Sequence, residues 1–240
     1  MVDAIDSKSI LGCQGAGSSP VIGKLFLLDF DGLLVDTERL HQLAYKEALG
    51  NWGFSFDIDF LTYSGLAHHI SGTALRDYAY NLFPTLLGKW TELRNDKLII
   101  YSRLIKEHVD LMPFVPEFLT HLQNNQIPCA VVTNSPKKDV EIIKQHAPIL
   151  NTISHWITRE DYEKPKPAPD SWLKGLSLFP HINPHETIGL EDTLKGVVAL
   201  KLARINPILI CSPNHPQVKE SIDIPHFADL ISALNSRYWL

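Results

Sequence analysis

Three short apolar runs in this chain each end abruptly on carboxylates, amides or hydroxyls, and that repetition restricts the fold more than any other feature. Residues 24–29 (KLFLLD) lead into Phe30, Asp31 and Gly32. Residues 129–133 (CAVVT) lead into Asn134 and Ser135, and residues 187–192 (TIGLED) end on Glu191 and Asp192 before Thr193. Short unbroken apolar runs suit strands buried on both faces, as in a parallel sheet. Ligands of such sheets bind outside the carboxyl ends of the strands.

Helical patterns separate the runs. A helix is expected from near Thr37, with Leu40, Leu43, Ala44 and Ala48 on one face and Gly50 and Gly53 ending it. Ala74, Leu75, Tyr78, Ala79 and Leu82 mark a second helix; Trp90, Leu93, Leu104, Ile105 and Val109 mark a third. No strand-like run interrupts residues 37–109, so this stretch reads as an all-helical insert.

Beyond Pro113 strands and helices alternate. A helix over Val115–Asn124 precedes the second run, and Ser135-Pro136 reads as an N-cap with proline at the first helical position. A short strand near 153–157, a proline-rich loop (EKPKPAPD, 163–170) and a helix with Trp172, Leu173, Leu176 and Phe179 lead to the third run. A helix over 193–203, a strand over 207–210 and a C-terminal helix follow. The alternation predicts an α/β fold with a doubly wound parallel sheet. The expected organisation is a tail over 1–22, a core over 23–36 and 110–240, and a helical cap over 37–109. The glycines of the tail lack a preceding strand and a following Gly-Lys-Ser/Thr, so they make no phosphate loop. Trp52, Trp90 and Trp156 are expected to be packing residues.

Composition narrows the function. Hydrophobic residues make up 45% of 240, enough for a substantial core. The 22 Lys and Arg against 27 Asp and Glu give a charge of −5, which argues against nucleic-acid binding. No apolar stretch approaches the roughly 18 residues of a membrane span. No basic segment followed by an apolar stretch opens the chain, so a cytoplasmic enzyme with no membrane partner is the expectation. Three cysteines, Cys13, Cys129 and Cys211, show no CxxC spacing. Cys129 and Cys211 lie in apolar runs and are expected to be buried thiols.

The clustered polar residues suit phosphoryl transfer. A phosphate dianion repels a carboxylate nucleophile, so a divalent cation and a lysine must offset the charge. An oxygen-rich set of Asp and Glu favours Mg²⁺. Asp29 and Asp31 are two apart and project to the same side of an extended chain. One aspartate can attack phosphorus while a second handles protons. A calcium loop beginning at DFDG fails, because later ligand positions hold Leu33 and Leu40.

These strings resemble the haloacid dehalogenase superfamily, in the helical-cap subgroup that includes β-phosphoglucomutase and pseudouridine 5'-phosphatase. The matching segments are DFDGLLVDTE (29–38), VVTNS (131–135), KPAPD (166–170) and LEDTLKG (190–196), in the family's order, over residues 24 to 210. The resemblance implies a Rossmann-like core and Mg²⁺-dependent hydrolysis of a small phosphorylated metabolite through an aspartyl-phosphate. The substrate it implies is a sugar phosphate or a nucleotide-like monophosphate. Asp29 resembles the nucleophile and a magnesium ligand. Asp31 resembles the general acid/base, with its carbonyl on the metal. Thr133 matches the hydroxyl that binds a phosphoryl oxygen, with Asn134 and Ser135 beside it. Lys166, rather than Lys164, matches the phosphate-neutralising lysine by its Lys-Pro-x-Pro-Asp spacing. Asp192 and Glu191 resemble the remaining metal ligands.

In related enzymes the DTExxH stretch points at the active site, so Thr37 and His41 are substrate-binding candidates. The plainer reading makes Thr37 an N-cap and His41 a surface residue. His68 and His69 stand where relatives read the substrate, and both are expected to be largely neutral near pH 7. The sequence departs from the family pattern at Pro113-Phe114, where Pro-Gly is usual, and at Ala203-Arg204, where Ala-Gly is frequent. Among rivals, dehalogenases lack the second aspartate. A phosphomutase keeps it but typically needs a cap arginine, and only Arg76 lies near. A catalytically inactive binding protein is the other alternative, and the presence of Asp29, Asp31, Lys166 and Asp192 argues against it.

Overall fold

The computed structural model describes residues 24–221 and 223–236; the expected tail over 1–22 and Cys13 lie outside them. Six strands form one parallel sheet: β1 (Leu25–Leu28), β2 (Cys129–Val132), β3 (His155–Ile157), β4 (Thr187–Glu191), β5 (Asn206–Ile210) and β6 (His226–Phe227). Their spatial order is β3-β2-β1-β4-β5-β6. The chain winds outward from β1 through β2 and β3, then returns to the far side of β1. The winding therefore reverses between β1 and β4, which opens a crevice above their carboxyl ends.

Four helices, α1 (Thr37–Asn51), α2 (Phe60–Ala67), α3 (Ala74–Leu82) and α4 (Trp90–Glu107), lie between β1 and α5 (Val115–Asn124). Then α6 (Lys137–His146) follows β2, α7 (Asp170–Ser177) follows β3, α8 (Leu194–Leu202) follows β4, and α9 (Leu230–Asn235) follows β6. None of these helices is long and apolar enough to cross a membrane.

The period-two geometry of the strands builds an apolar layer on each face. Phe26, Leu28 and Val131 pack with Phe118 of α5, Val140 and Ile143 of α6, and Leu230 of α9. Leu25, Leu27, Ala130 and Val132 pack with Trp172 of α7 and with Ala199 and Leu200 of α8. Gly189 is what lets α8 sit so close, because a Cβ there would lie 2.1 Å from Leu200 Cδ2. The helices between β1 and α5 share the first of these layers, through Ala44, Tyr63, Leu93 and Ile105.

Several local expectations need correction. The helix α2 had no clear periodicity in the sequence, since it is short and carries Gly65; Asp59 caps it by accepting from the Thr62 amide (3.0 Å). The strand β6 is only two residues long and gives no pattern. Leu43, expected on the apolar face of α1, is 50% exposed. Gly50 lies inside α1, and the left-handed turn after the helix falls at Gly53 (φ 84°). Cys129 and Cys211 are only half-buried. Pro136, not Ser135, is the N-cap of α6, and Glu160 accepts from the Lys137 amide instead (3.0 Å).

At both departures from the family pattern the backbone is left-handed, with Phe114 at φ 65° and Arg204 at φ 60°. These turns have glycine geometry without glycine, and a bulky residue there is strained.

Within the helical stretch a polar junction ties α1 to the end of α2. His68 Nε2 lies 3.0 Å from Glu38 Oε2, and both side chains are largely buried. Burial alone would raise Glu38, but His68, His41 and Lys97 draw it down to about 2. Burial and Lys195 push His68 down, but Glu38, helped by Glu191, more than reverses this and holds it above its usual range. Glu38 thus favours the protonated form of His68, where a largely neutral imidazole is expected from the sequence.

Packing and charge generate three expectations. Phe114→Gly should stabilise the fold by about 0.5–1 kcal/mol, the αL strain exceeding the entropy cost of glycine. Gly189→Ala should destabilise it by about 1–3 kcal/mol through overpacking. Urea denaturation checks both signs. The depressed Glu38 contributes above its ordinary value of 4.5, and the raised His68 contributes below its ordinary value of 6.5. Glu38→Gln should therefore cost more stability near pH ~6 than near pH ~9, because the raised His68 loses its proton, and its contribution, as pH climbs above 6.5. Denaturation at the two pH values with equal cost would contradict the pair.

Candidate active site

The site grows out of the ends of β1, β2 and β4. The Asp29 amide still donates to Leu190 O (2.9 Å), so Asp29 begins where sheet pairing ends. Phe30 turns into the core against Trp156 (5.4 Å between centroids). At Gly32 the chain turns with φ 78°, and its amide donates to Val35 O (2.8 Å). Gly32 is needed twice, because a Cβ there would also lie 2.0 Å from Asp192 Oδ2.

Lys166 reaches this point from the proline-rich loop. Its Nζ donates to Asp29 Oδ1 (2.5 Å), Glu191 Oε1 (2.7 Å) and Val132 O (3.0 Å), with the ammonium 4.1 Å from the Trp172 ring centroid. Lys164 is exposed. Asn134 holds the loop: its Oδ1 accepts from the Tyr162 hydroxyl (2.7 Å) and the Lys166 amide (3.3 Å). Burial would pull Lys166 down, but Asp29 and Glu191 outweigh it and keep it charged.

One lysine does not balance the carboxylates gathered here. Asp29, Glu191 and Asp192 offer oxygens within 4.8 Å of one another, all buried. Burial, Glu191 and Asp31 push Asp29 up to about 8 despite Lys166. Burial, Glu191 and Asp29 likewise hold Asp192 well above the carboxylate range. Asp192 Oδ1 is buried with no hydrogen-bond partner among the described residues. An orphaned buried oxygen beside excess negative charge is what a hard divalent cation would satisfy. Glu191 is differently placed: Oε1 takes Lys166, and Oε2 accepts from the Thr193 amide (3.0 Å) and hydroxyl (2.9 Å).

Asp31 faces hydroxyls. Thr37 Oγ1 donates to its Oδ1 (2.7 Å), while Thr133 Oγ1 (3.0 Å) and Ser135 Oγ (2.7 Å) donate to Oδ2. Burial raises Asp31 above its usual range, and the hydroxyls offset part of that rise. Ser135 spends its hydroxyl here rather than on capping α6. Asp36 holds the N-cap position of α1, so Thr37 is free to point at Asp31.

His41 is not a surface residue. It stacks on Tyr101 (3.9 Å between centroids), and Lys97 Nζ donates to its Nδ1 (2.6 Å). Burial and Lys97 lower His41 to about 3. Sequence reasoning passed over Lys97, although the signal was present. It lies four residues from both Leu93 and Tyr101, a lysine on the buried stripe of α4, and is 5% exposed. His69 lies on the exposed side, bonded to Ser71 (2.9 Å), away from these groups.

Known proteins resemble this chain in sequence and in fold. The chain is 27% identical to (DL)-glycerol-3-phosphatase 1, mitochondrial, of Arabidopsis thaliana, over 77% of this chain but only 62% of that protein. It is 25% identical to the Probable pseudouridine-5'-phosphatase of Drosophila melanogaster, over 81% of this chain and 84% of the fly protein. The crystal structure of beta-phosphoglucomutase from Clostridium difficile superposes with a TM-score of 0.65, at 18% identity, over 90% of this chain and 97% of the other; at that identity it shows the fold alone. The sequence profile of the haloacid dehalogenase-like hydrolases matches residues 26–210. A shared profile over most of the chain, on a sheet whose carboxylates converge where that winding order places a ligand, makes this protein a member of the haloacid dehalogenase-like hydrolase family.

Proposed function

We propose that this chain is a Mg²⁺-dependent phosphatase of a small phosphorylated metabolite, working through a phosphorylated Asp29. The observation that carries the reading is the meeting of Asp29 with Lys166 at 2.5 Å beside the orphaned Asp192 Oδ1. Asp29 and Asp192 would hold the cation, with Glu191 orienting Lys166 next to it. Bound there, Mg²⁺ would screen the carboxylates from an incoming phosphate and polarise its oxygens.

An Asp29 oxygen attacks phosphorus as the bond to the leaving oxygen breaks. Asp31, whose burial favours the protonated form, gives its proton to that oxygen. A water then attacks phospho-Asp29, Asp31 recovers a proton from it, and phosphate leaves with Asp29 regenerated. Lys166 neutralises phosphoryl oxygens throughout, and the hydroxyls of Thr133 and Ser135 would turn from Asp31 to donate to them. Thr37 orients Asp31, and Lys97 fixes the His41 ring against Tyr101. In this reading residues 37–109 form a cap over the crevice, supported by their wholly helical character.

The names of the relatives support a small substrate, a polyol or nucleotide-like monophosphate. A mutase must hold a second phosphate with a fixed cation. Arg76 is half-buried and its guanidinium is already paired with Asp77 (2.8 Å), which favours hydrolysis.

Release of phosphate from a panel of phosphorylated metabolites tests the reading directly. Asp29→Asn should abolish turnover without unfolding the protein, and Asp31→Asn should lower kcat roughly 10²–10⁴-fold. Near wild-type release by the Asp29 variant would sink the mechanism. EDTA should silence the enzyme, Mg²⁺ should restore it, and Ca²⁺, with its looser coordination, should substitute poorly. Lys166→Ala should cost far more activity than Lys164→Ala in the same assay. Equal losses would remove Lys166 from the site.

A further inference from the structure

One buried side chain outside the family's motifs braces the segment that carries Asp192. Gln217 lies in the 3-10 turn Pro216–Glu220 and is 7% exposed. Its Nε2 donates to the main-chain carbonyl of Asp192, and its Oε1 accepts from the Leu194 amide (3.0 Å). The amide has one donor end and one acceptor end, and only this orientation satisfies both groups. It therefore grips the backbone on either side of Thr193, directly behind the unpartnered Asp192 carboxylate oxygen.

The same turn is tied to the helical insert. His215 Nδ1 accepts from the Gln217 amide (3.3 Å), so the ring proton sits on Nε2, which donates to Ser64 Oγ on α2 (2.7 Å). Ser64 and His215 are both buried. Burial and the adjacent His68 lower His215 to about 4, which keeps the ring neutral and this tautomer available. Gly65 allows the approach, since a Cβ there would lie 3.1 Å from Pro216 Cγ. Lys195, on the first turn after Thr193, also reaches Ala67 O at the end of α2 (3.3 Å).

We propose that Gln217 is a positioning residue for Asp192, and that His215 and Ser64 couple it to the docking of the helical insert. The cation site would then be fully formed only when α2 rests on the 215–217 turn. This rests on the reading of Asp192 as a metal ligand.

The test is the affinity of the full-length protein for Mg²⁺, read by calorimetric titration and by Mg²⁺-induced shift in Tm, with no substrate present. Gln217→Ala should weaken binding roughly 10–100-fold, as loss of a ligand's supporting hydrogen bonds does. Gln217→Glu keeps the size but cannot donate to Asp192 O when ionised, and it should weaken binding in the same direction. Ser64→Ala should weaken binding less, and should add nothing in a Gln217→Ala background, because the two lie on one path. A purely structural brace would instead lower Tm without Mg²⁺ and leave the Mg²⁺ affinity unchanged. Asp192→Asn is the control. If Asp192→Asn loses Mg²⁺ while both Gln217 variants bind within about twofold of wild type, the positioning role is overturned and the site reading survives. If Asp192→Asn itself binds normally, both fall. An additive effect of Ser64→Ala on Gln217→Ala would overturn the coupling to the insert.

Discussion

Lys166 is the cation on which the catalytic edge depends. Its ammonium joins the carboxylate after β1 to the one ending β4, and both are almost wholly shielded from water. Removing one partner of a buried ion pair costs about 3–5 kcal/mol, because the other is left uncompensated. Here the imbalance is larger, since Asp29, Glu191 and Asp192 share a single nearby lysine. The elevated Asp29 and Asp192 express that surplus of negative charge. The proline-rich loop, the Trp172 ring beneath the ammonium and the Asn134 carbonyl all serve to hold Lys166 where it can work. A buried surplus of negative charge destabilises an empty site, and it suits one that binds a cation and a phosphate together.

Asp31 obeys a different logic. Among the described residues no cation hydrogen-bonds to it; three hydroxyls do. Hydroxyls can serve either its charged or its neutral form, while burial favours the neutral one. Two carboxylates two residues apart are thus given opposite surroundings, and their proposed roles as nucleophile and proton donor follow from that division. The third hydroxyl comes from α1, so the setting of Asp31 is completed by the first residue of the helical insert.

Polar contacts hold the insert together and tie it to the core. Within the insert, Glu38 of α1 pairs with His68 after α2 and favours its protonated form. Lys97 of α4 donates to His41 of α1, also within the insert. The links to the core are the stacking of His68 on His215, whose own protonation burial and His68 disfavour, and the hydrogen bond of His215 to Ser64. Those links would be lost if the helices moved away from the core.

The sequence by itself determined the architecture and the location of the chemistry. Unbroken apolar runs such as LFLL demand burial on both faces, and helices must alternate with such strands to cover them. The polar residues that end each run then fall along one edge, because parallel strands all present the same end. Lys166 is told from Lys164 by the resemblance to the family's Lys-Pro-x-Pro-Asp spacing. What sequence could not supply were contacts between elements far apart in the chain. Thr37 capping a helix and Thr37 donating to Asp31 look identical in one dimension. His68 reads as an ordinary neutral imidazole until Glu38, thirty residues earlier, is folded against it. Gln217 and His215 lie in a stretch without periodicity or motif, and only tertiary structure brings them behind Asp192. Phe114 and Arg204 make the same point for the backbone: their left-handed geometry is imposed by the elements on either side, against the preference of the residues themselves.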